Sequence, residues 1–237
     1  MMYRVEHIDP GKTALIVVDM QNDFVAPGAP LESSAGRAMV PHLQRALACC
    51  REEGIPVIYT AHVHRPEGCD LGLLAHAPAI ARRDALVAGS PGVAIFPEIA
   101  PRDSEIVITK HRFSAFYGTD LEMILRGLGV TTVVITGVTT ENCCHATARG
   151  AFFRDFQVVF LADATATSDY PDLGYGSMCA AEVHRATLVI LARDTADVIP
   201  TDIFVTRVTA ASGFDPLLVV DPSDGIAQAA RQATLVP

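Results

Sequence analysis

Tryptophan is absent from this 237-residue chain, and aromatic residues make up only 6% of it. No aromatic platform for stacking nucleic-acid bases is visible in such a composition. Positive charge is scarce too: 18 Lys and Arg stand against 27 Asp and Glu, a formal charge of -9. An acidic chain of this kind is a poor general partner for nucleic acid or an anionic membrane, although a local basic pocket stays open. No uninterrupted apolar run reaches the roughly 18 residues of a membrane span. No leading segment joins a basic start to an apolar run and a cleavage site. The six cysteines, Cys49, Cys50, Cys69, Cys143, Cys144 and Cys179, match neither a zinc module nor a disulfide framework. These absences lead to the expectation of a cytoplasmic protein in a reducing compartment. Nucleotide signatures are missing as well: there is no GxxxxGK[ST], no GxGxxG after the first strand, and no GxSxG nucleophile elbow.

What is present is length and apolar content. A 237-residue chain that is 50% hydrophobic builds a sizeable core and still fits one domain. The continuous apolar run at 13–19 reads as a parallel strand covered on both faces, and further strands are read at 55–64, 104–110, 130–136, 156–163 and 196–199. Helical stretches fall between them: from the loop 27–39 through to Gly54, then 119–128, 140–154 and 172–193. Residues 65–94 form a long Pro- and Gly-punctuated connection with a short helix expected near 71–83. Beyond 200 come DIFVTRV, an apolar LLVV and a small helix. We read one domain over 1–205 and a C-terminal extension over 206–237 available for subunit contacts. Alternating strands and helices predict an open parallel sheet with helices on both faces, a three-layer α/β/α arrangement. Ligands in such sheets bind beyond the C-terminal strand ends.

Three chemically active residues sit at or just past such ends: Asp19, Lys110 and Cys143. Cys143 lies about one turn into a helix that follows GVTT, where unpaired N–H groups favour a thiolate and lower its pKa. It is the candidate nucleophile; the alternative is an inert buried cysteine. Cys144, pointing about 100° further round the helix, is the rival. Asp19 is the candidate base, or else a turn-capping acid, a role that suits Asn22 and Asp23 better. Lys110 would keep Asp19 ionised, unless it is an ordinary surface lysine. Backbone N–H groups around Thr139 and Cys143 are the candidate oxyanion donors. His62, His64, His76 and Asp70 raise a metal question without supplying a clear third ligand; a polar pocket wall is the other reading. No metal and no cofactor are expected. Asn22, Phe24, His64, Arg112, Phe113, Phe116 and Tyr117 are expected to line the substrate pocket.

Three segments together, ALIVVDMQNDF at 14–24, VITKHRFSAFYGTDLEMILRGLG at 107–129 and GVTTENCCHATARGAFFRDFQVVFLADAT at 137–165, resemble the isochorismatase-like cysteine hydrolase family in order and spacing. The resemblance covers about 12 to 205. It implies a Rossmann-like sheet of order 3-2-1-4-5-6 and a triad of Asp19, Lys110 and Cys143, with Cys144 where an apolar residue is usual. It also implies a cis peptide between Val138 and Thr139. The family holds vinyl-ether hydrolases, some lacking the cysteine, and amidases that keep it, so Cys143 favours amide or ureide cleavage. Nicotinamidases of the family carry Asp-x-His for zinc; here His62 takes the Asp position and His64 the second. HRPEGCDL at 64–71 is more similar to the branch hydrolysing biuret, ureidoacrylate, N-carbamoylsarcosine and maleamate. The expectation is therefore a cysteine amidohydrolase releasing ammonia from a small linear amide or ureide, with isochorismatase-type or zinc-dependent nicotinamidase-like hydrolysis as alternatives. The family implies a homodimer or homotetramer with a small-molecule substrate as its only other partner.

Overall fold

A computed structural model describes residues 3–212 of the chain. Six strands, β1 (Thr13–Val18), β2 (Val57–His62), β3 (Ile106–Lys110), β4 (Thr132–Val138), β5 (Gln157–Ala166) and β6 (Asp197–Ile199), form one sheet of order 3-2-1-4-5-6. Every neighbouring pair is parallel. Side chains of a strand alternate between faces. In β1, Leu15 and Val17 therefore join one apolar cluster while Ala14, Ile16 and Val18 join the other. All are fully buried, each large aliphatic contributing on the order of 2 kcal/mol.

Helices cover both faces. Helix α1 (Asn22–Val25) follows β1, and α2 (Ser34–Ala38) and α3 (Val40–Glu52) follow in turn. The expected single helix through this region breaks at Met39, because Pro41 suits a first turn and supplies no N–H to an interior. Helix α3 stops before Gly54, which adopts φ 70°. The long connection carries 3-10 turns at Gly72–His76 and Pro91–Val93 and the short α4 (Pro78–Ala81). Helices α5 (Leu121–Gly127), α6 (His145–Phe152), α7 (Ala180–Asp194) and α8 (Thr201–Ser212) complete the set. Leu43, Leu47 and Phe204 pack on one sheet face, Leu121, Ala148 and Leu191 on the other.

Several element boundaries differ from the sequence expectation. Helix α7 begins at Ala180 rather than 172: Gly174 and Gly176 hold positive φ, and Tyr170 bridges Met178 instead. Strand β5 continues to Ala166, through a register shift opposite Gly137. Helix α8 spans the 205–206 division, and the LLVV stretch with its small helix lies outside the described residues. Among the described residues no helix is long and apolar enough to cross a membrane.

Gly137 explains how β4 fits beside β1. Its φ is 109°, and a Cβ there would meet the Val18 carbonyl oxygen at 2.0 Å. The sheet order reverses between β1 and β4, so their C-terminal ends open a crevice at the switch point.

Candidate active site

Each reactive side chain is delivered by a strand end. Asp19 follows β1 with φ 50°, a left-handed conformation that is costly for a non-glycine residue. Its N–H reaches the Thr60 carbonyl at 3.2 Å, and the Thr60 hydroxyl donates to Asp19 Oδ1 at 2.7 Å. Lys110 closes β3, in register with His62 at the end of β2. Cys143 sits in a wide π-type turn, Thr140–Cys144, between β4 and α6. The Val138–Thr139 peptide at the start of that turn is cis, as the resemblance implied.

These ends converge. Lys110 Nζ lies 2.6 Å from Asp19 Oδ2 and 3.3 Å from Cys143 Sγ. It also donates to the Arg112 carbonyl at 2.9 Å. Lys110 and Asp19 are fully buried and Cys143 nearly so. Burial pulls the Lys110 ammonium down, but Asp19 and Cys143 more than offset this and its pKa is raised. Burial pushes the Cys143 thiol up, more than Lys110 pulls it down. The expected lowering of this thiol is therefore not met: total desolvation outweighs the turn and the ammonium. The buried set is thus a Lys110–Asp19 pair beside a thiol whose pKa is raised. Cys144 faces away into the core, its Sγ 3.7 Å from the Thr136 carbonyl.

A second chain of polar groups runs from Lys110 towards the surface. His62 Nδ1 lies 3.4 Å from Lys110 Nζ, and His62 Nε2 lies 3.1 Å from His64 Nε2. Burial, then the Lys110 charge, holds His62 well below the usual imidazole pKa. One ring must donate and the other accept, so a tautomer with His62 Nδ1 free to accept from Lys110 satisfies both contacts. Asp70 lies 3.6 Å from His64 Nδ1 and 3.5 Å from His111 Nδ1. Among the described residues two donor groups could hold a cation: Asp19, His62 and Cys143, and His64, Asp70 and His111. The first has the Lys110 ammonium against its carboxylate, which opposes a second cation. The second, two imidazoles and a carboxylate with His64 Nδ1 lacking a hydrogen bond, is chemically suited to zinc but supplies three donors of a usual four. His111 takes the place there that the sequence left to His76.

Above Cys143 lies a cavity of about 440 Å³. Of the residues expected to line it, Phe24 and Phe113 do so. The other five do not. The Asn22 amide is spent on the Pro91 carbonyl, and His64 is buried behind His62. Arg112 is turned to the Asp70 carbonyl at 2.9 Å. Phe116 packs against Phe156, and Tyr117 is 69% exposed. Thr139 and His62 do line the cavity, and His76 forms part of its wall. Sequence reasoning missed Glu141, Asn142 and Tyr170. The Glu141 Oε1 accepts from the Thr139 hydroxyl at 2.8 Å and the Tyr170 hydroxyl at 2.9 Å. ENCC carries Glu141 and Asn142 on the nucleophile's own turn, a signal that was available; Tyr170 arrives from a distant loop and left none.

The fold and this buried cluster define a Rossmann-like α/β protein with a cysteine, an ammonium and a carboxylate beneath a cavity at the switch point. The Isochorismatase domain model matches residues 13–202. A ureidoacrylate amidohydrolase RutB of Methylobacterium radiotolerans is 35% identical over 67% of this chain and 68% of its own length. Nicotinamidase 3 of Arabidopsis thaliana is 32% identical over 80% of this chain and 86% of its own. A cysteine hydrolase from Pseudomonas syringae pv. phaseolicola superposes with a TM-score of 0.85 at 33% identity, covering 89% of this chain and 98% of that one. The chain belongs to the isochorismatase family of hydrolases.

Proposed function

We propose that the protein is a cysteine amidohydrolase that cleaves the C–N bond of a small amide or ureide through a thioester and releases ammonia. One observation carries the reading: Cys143 Sγ borders the cavity while Lys110 Nζ, 3.3 Å away, and the Asp19 carboxylate hold it from beneath. The names of relatives acting on ureidoacrylate and nicotinamide support the reaction class.

The geometry suggests the sequence of proton movements. The thiol is neutral at rest, so Asp19 takes its proton as Sγ attacks the substrate carbonyl. Backbone N–H groups of Thr139 and Cys143 stabilise the oxyanion. Protonated Asp19 then gives its proton to the departing nitrogen, the C–N bond breaks, and ammonia leaves. In the second half Asp19 takes a proton from water, and the hydroxide attacks the thioester. The C–S bond breaks and Sγ recovers its proton from Asp19. Lys110 stays protonated throughout and keeps Asp19 and Sγ in place.

The test is ammonia release from biuret, ureidoacrylate, N-carbamoylsarcosine, maleamate, nicotinamide and a simple aliphatic amide, by wild type and Cys143→Ala, with and without chelator. Release that depends on Cys143 supports the reading. Isochorismate turnover by both proteins, with silence on the amides, would refute it. Loss of release on chelation would instead bring the His64, Asp70 and His111 donors into the reaction. We also propose a homodimer or homotetramer, for which Val189 and Ile190 on α7 offer exposed apolar area. Sedimentation of the full chain checks that, a monomer being the contrary result.

A further inference from the structure

The walls of the cavity above Cys143 are unequal in chemistry. One side is apolar, built from Phe24, Leu31, Leu74, Ile80, Leu86 and Phe113. Among the described residues, the charged side chains on the remainder are Glu32 and Glu141, and no lysine or arginine lines the cavity. Glu32 is neutralised where it stands: one oxygen pairs with Arg37 at 2.8 Å and the other accepts from the Gly28 N–H at 2.8 Å. Among the described residues Glu141 has no such cation. Its Oε1 is fixed by the Thr139 and Tyr170 hydroxyls and the Asn142 amide, and its Oε2 has no hydrogen-bond donor. Lys110 contributes no free charge, being paired with Asp19 at 2.6 Å below the thiol. The imidazoles are engaged as well, His62 between Lys110 and His64, and His76 through its Nδ1 with the Leu73 carbonyl. Among the described residues the space beside the nucleophile therefore presents a carboxyl group without a cationic partner against an apolar wall.

We infer that the substrate is a primary amide or ureide whose far end is apolar and carries no negative charge. The inference rests on the amidohydrolase reading and narrows it. A carboxylate entering here would shed its water against Glu141 with no counter-ion to meet it, which is discrimination by an unpaired charge. An aliphatic or aromatic group would instead bury its surface on the Phe24 and Phe113 side. Glu141 is thus a specificity-determining residue, and its three donors on Oε1 hold it in position.

The experiment compares matched amides of equal length, pentanamide and 5-amino-5-oxopentanoate, which differ by a terminal methyl against a carboxylate. Cysteine-dependent ammonia release is measured with each, using wild type and Cys143→Ala. The expected result is a kcat/KM for pentanamide about tenfold or more above that for the carboxylate, with the difference mostly in KM. Glu141→Gln, checked for folding by thermal melting, should narrow the gap by improving the carboxylate. A carboxylate used as well as or better than pentanamide, still dependent on Cys143, overturns the inference and leaves the amidohydrolase reading intact. Release from either amide that persists in Cys143→Ala removes that reading and the inference together. The wild-type comparison decides the matter even if Glu141→Gln fails to fold.

Discussion

Asp19 Oδ2 and Lys110 Nζ stand 2.6 Å apart with neither side chain touching solvent. Burying two charges is costly, and the pair is held only because each ion has further partners, Thr60 for Asp19 and the Arg112 carbonyl for Lys110. The two residues come from β1 and β3, at the ends of strands separated by β2 in the sheet. The pair therefore ties two strand ends as well as serving Cys143.

Removing one partner should expose that dependence. Asp19→Asn and Lys110→Met should each lower stability by roughly 3–5 kcal/mol, because a buried charge is left unpaired. The double substitution should cost less than the sum. Denaturant unfolding of the four proteins measures the coupling; strict additivity would mean that the two charges do not sense each other.

The adjacent cysteines should behave differently. Cys143→Ser should lower kcat by about a thousandfold or more, whereas Cys144→Ala should cost roughly 1 kcal/mol of stability and leave turnover within a few-fold. Cys144 packs in the core and faces Thr136, not the cavity. Steady-state kinetics with thermal melts separates the two; equal loss of turnover in both would mean the turn tolerates no change.

Acid should destabilise the fold through its imidazoles. Burial, then Lys110, holds His62 well below its ordinary pKa, and His64, His145 and His184 are lowered as well, chiefly by burial. Below about pH 6.5 the unfolded chain binds protons that the folded chain refuses, so stability falls as pH falls. Each imidazole contributes up to about 1.4 kcal/mol per pH unit. His62→Gln should flatten the slope by one such share in melts between pH 6.5 and 5; an unchanged slope would show that His62 titrates normally.

Gly137→Ala should compromise folding. A methyl group there would lie 2.0 Å from the Val18 carbonyl oxygen, on a backbone with φ 109°. Relief requires β1 and β4 to separate, which should cost roughly 3 kcal/mol or more. Soluble yield and melting temperature report it; a melt equal to wild type would contradict the close approach.

The parallel sheet was legible in the sequence because strands covered on both faces are continuous apolar runs, as TALIVV and TVVITGV are, whereas its strand order was implied only by the family resemblance. The convergence of Asp19, Lys110 and Cys143 was legible for the same reason: each follows such a run, and strand ends of one sheet face one crevice. The pocket walls were not. Phe116 and Tyr117 lie close to Phe113 in sequence, yet one is buried against Phe156 and the other points to solvent. Local sequence carries no record of which way a loop turns. Leu74, Ile80 and Leu86 reach the cavity only through the path of the 65–94 connection, and Tyr170 only through the loop after β5. The thiol was misjudged because a helix-start argument ignores burial, and here burial dominates.

The most direct test of the central claim is the mass of the protein quenched in acid during turnover of an amide substrate. The account predicts an adduct equal to the acyl group, with ammonia lost, on the peptide bearing Cys143. The adduct should persist in Cys144→Ala and be absent in Cys143→Ala. Amide turnover that continues in Cys143→Ala, with no adduct on wild type at any quench time, would contradict it.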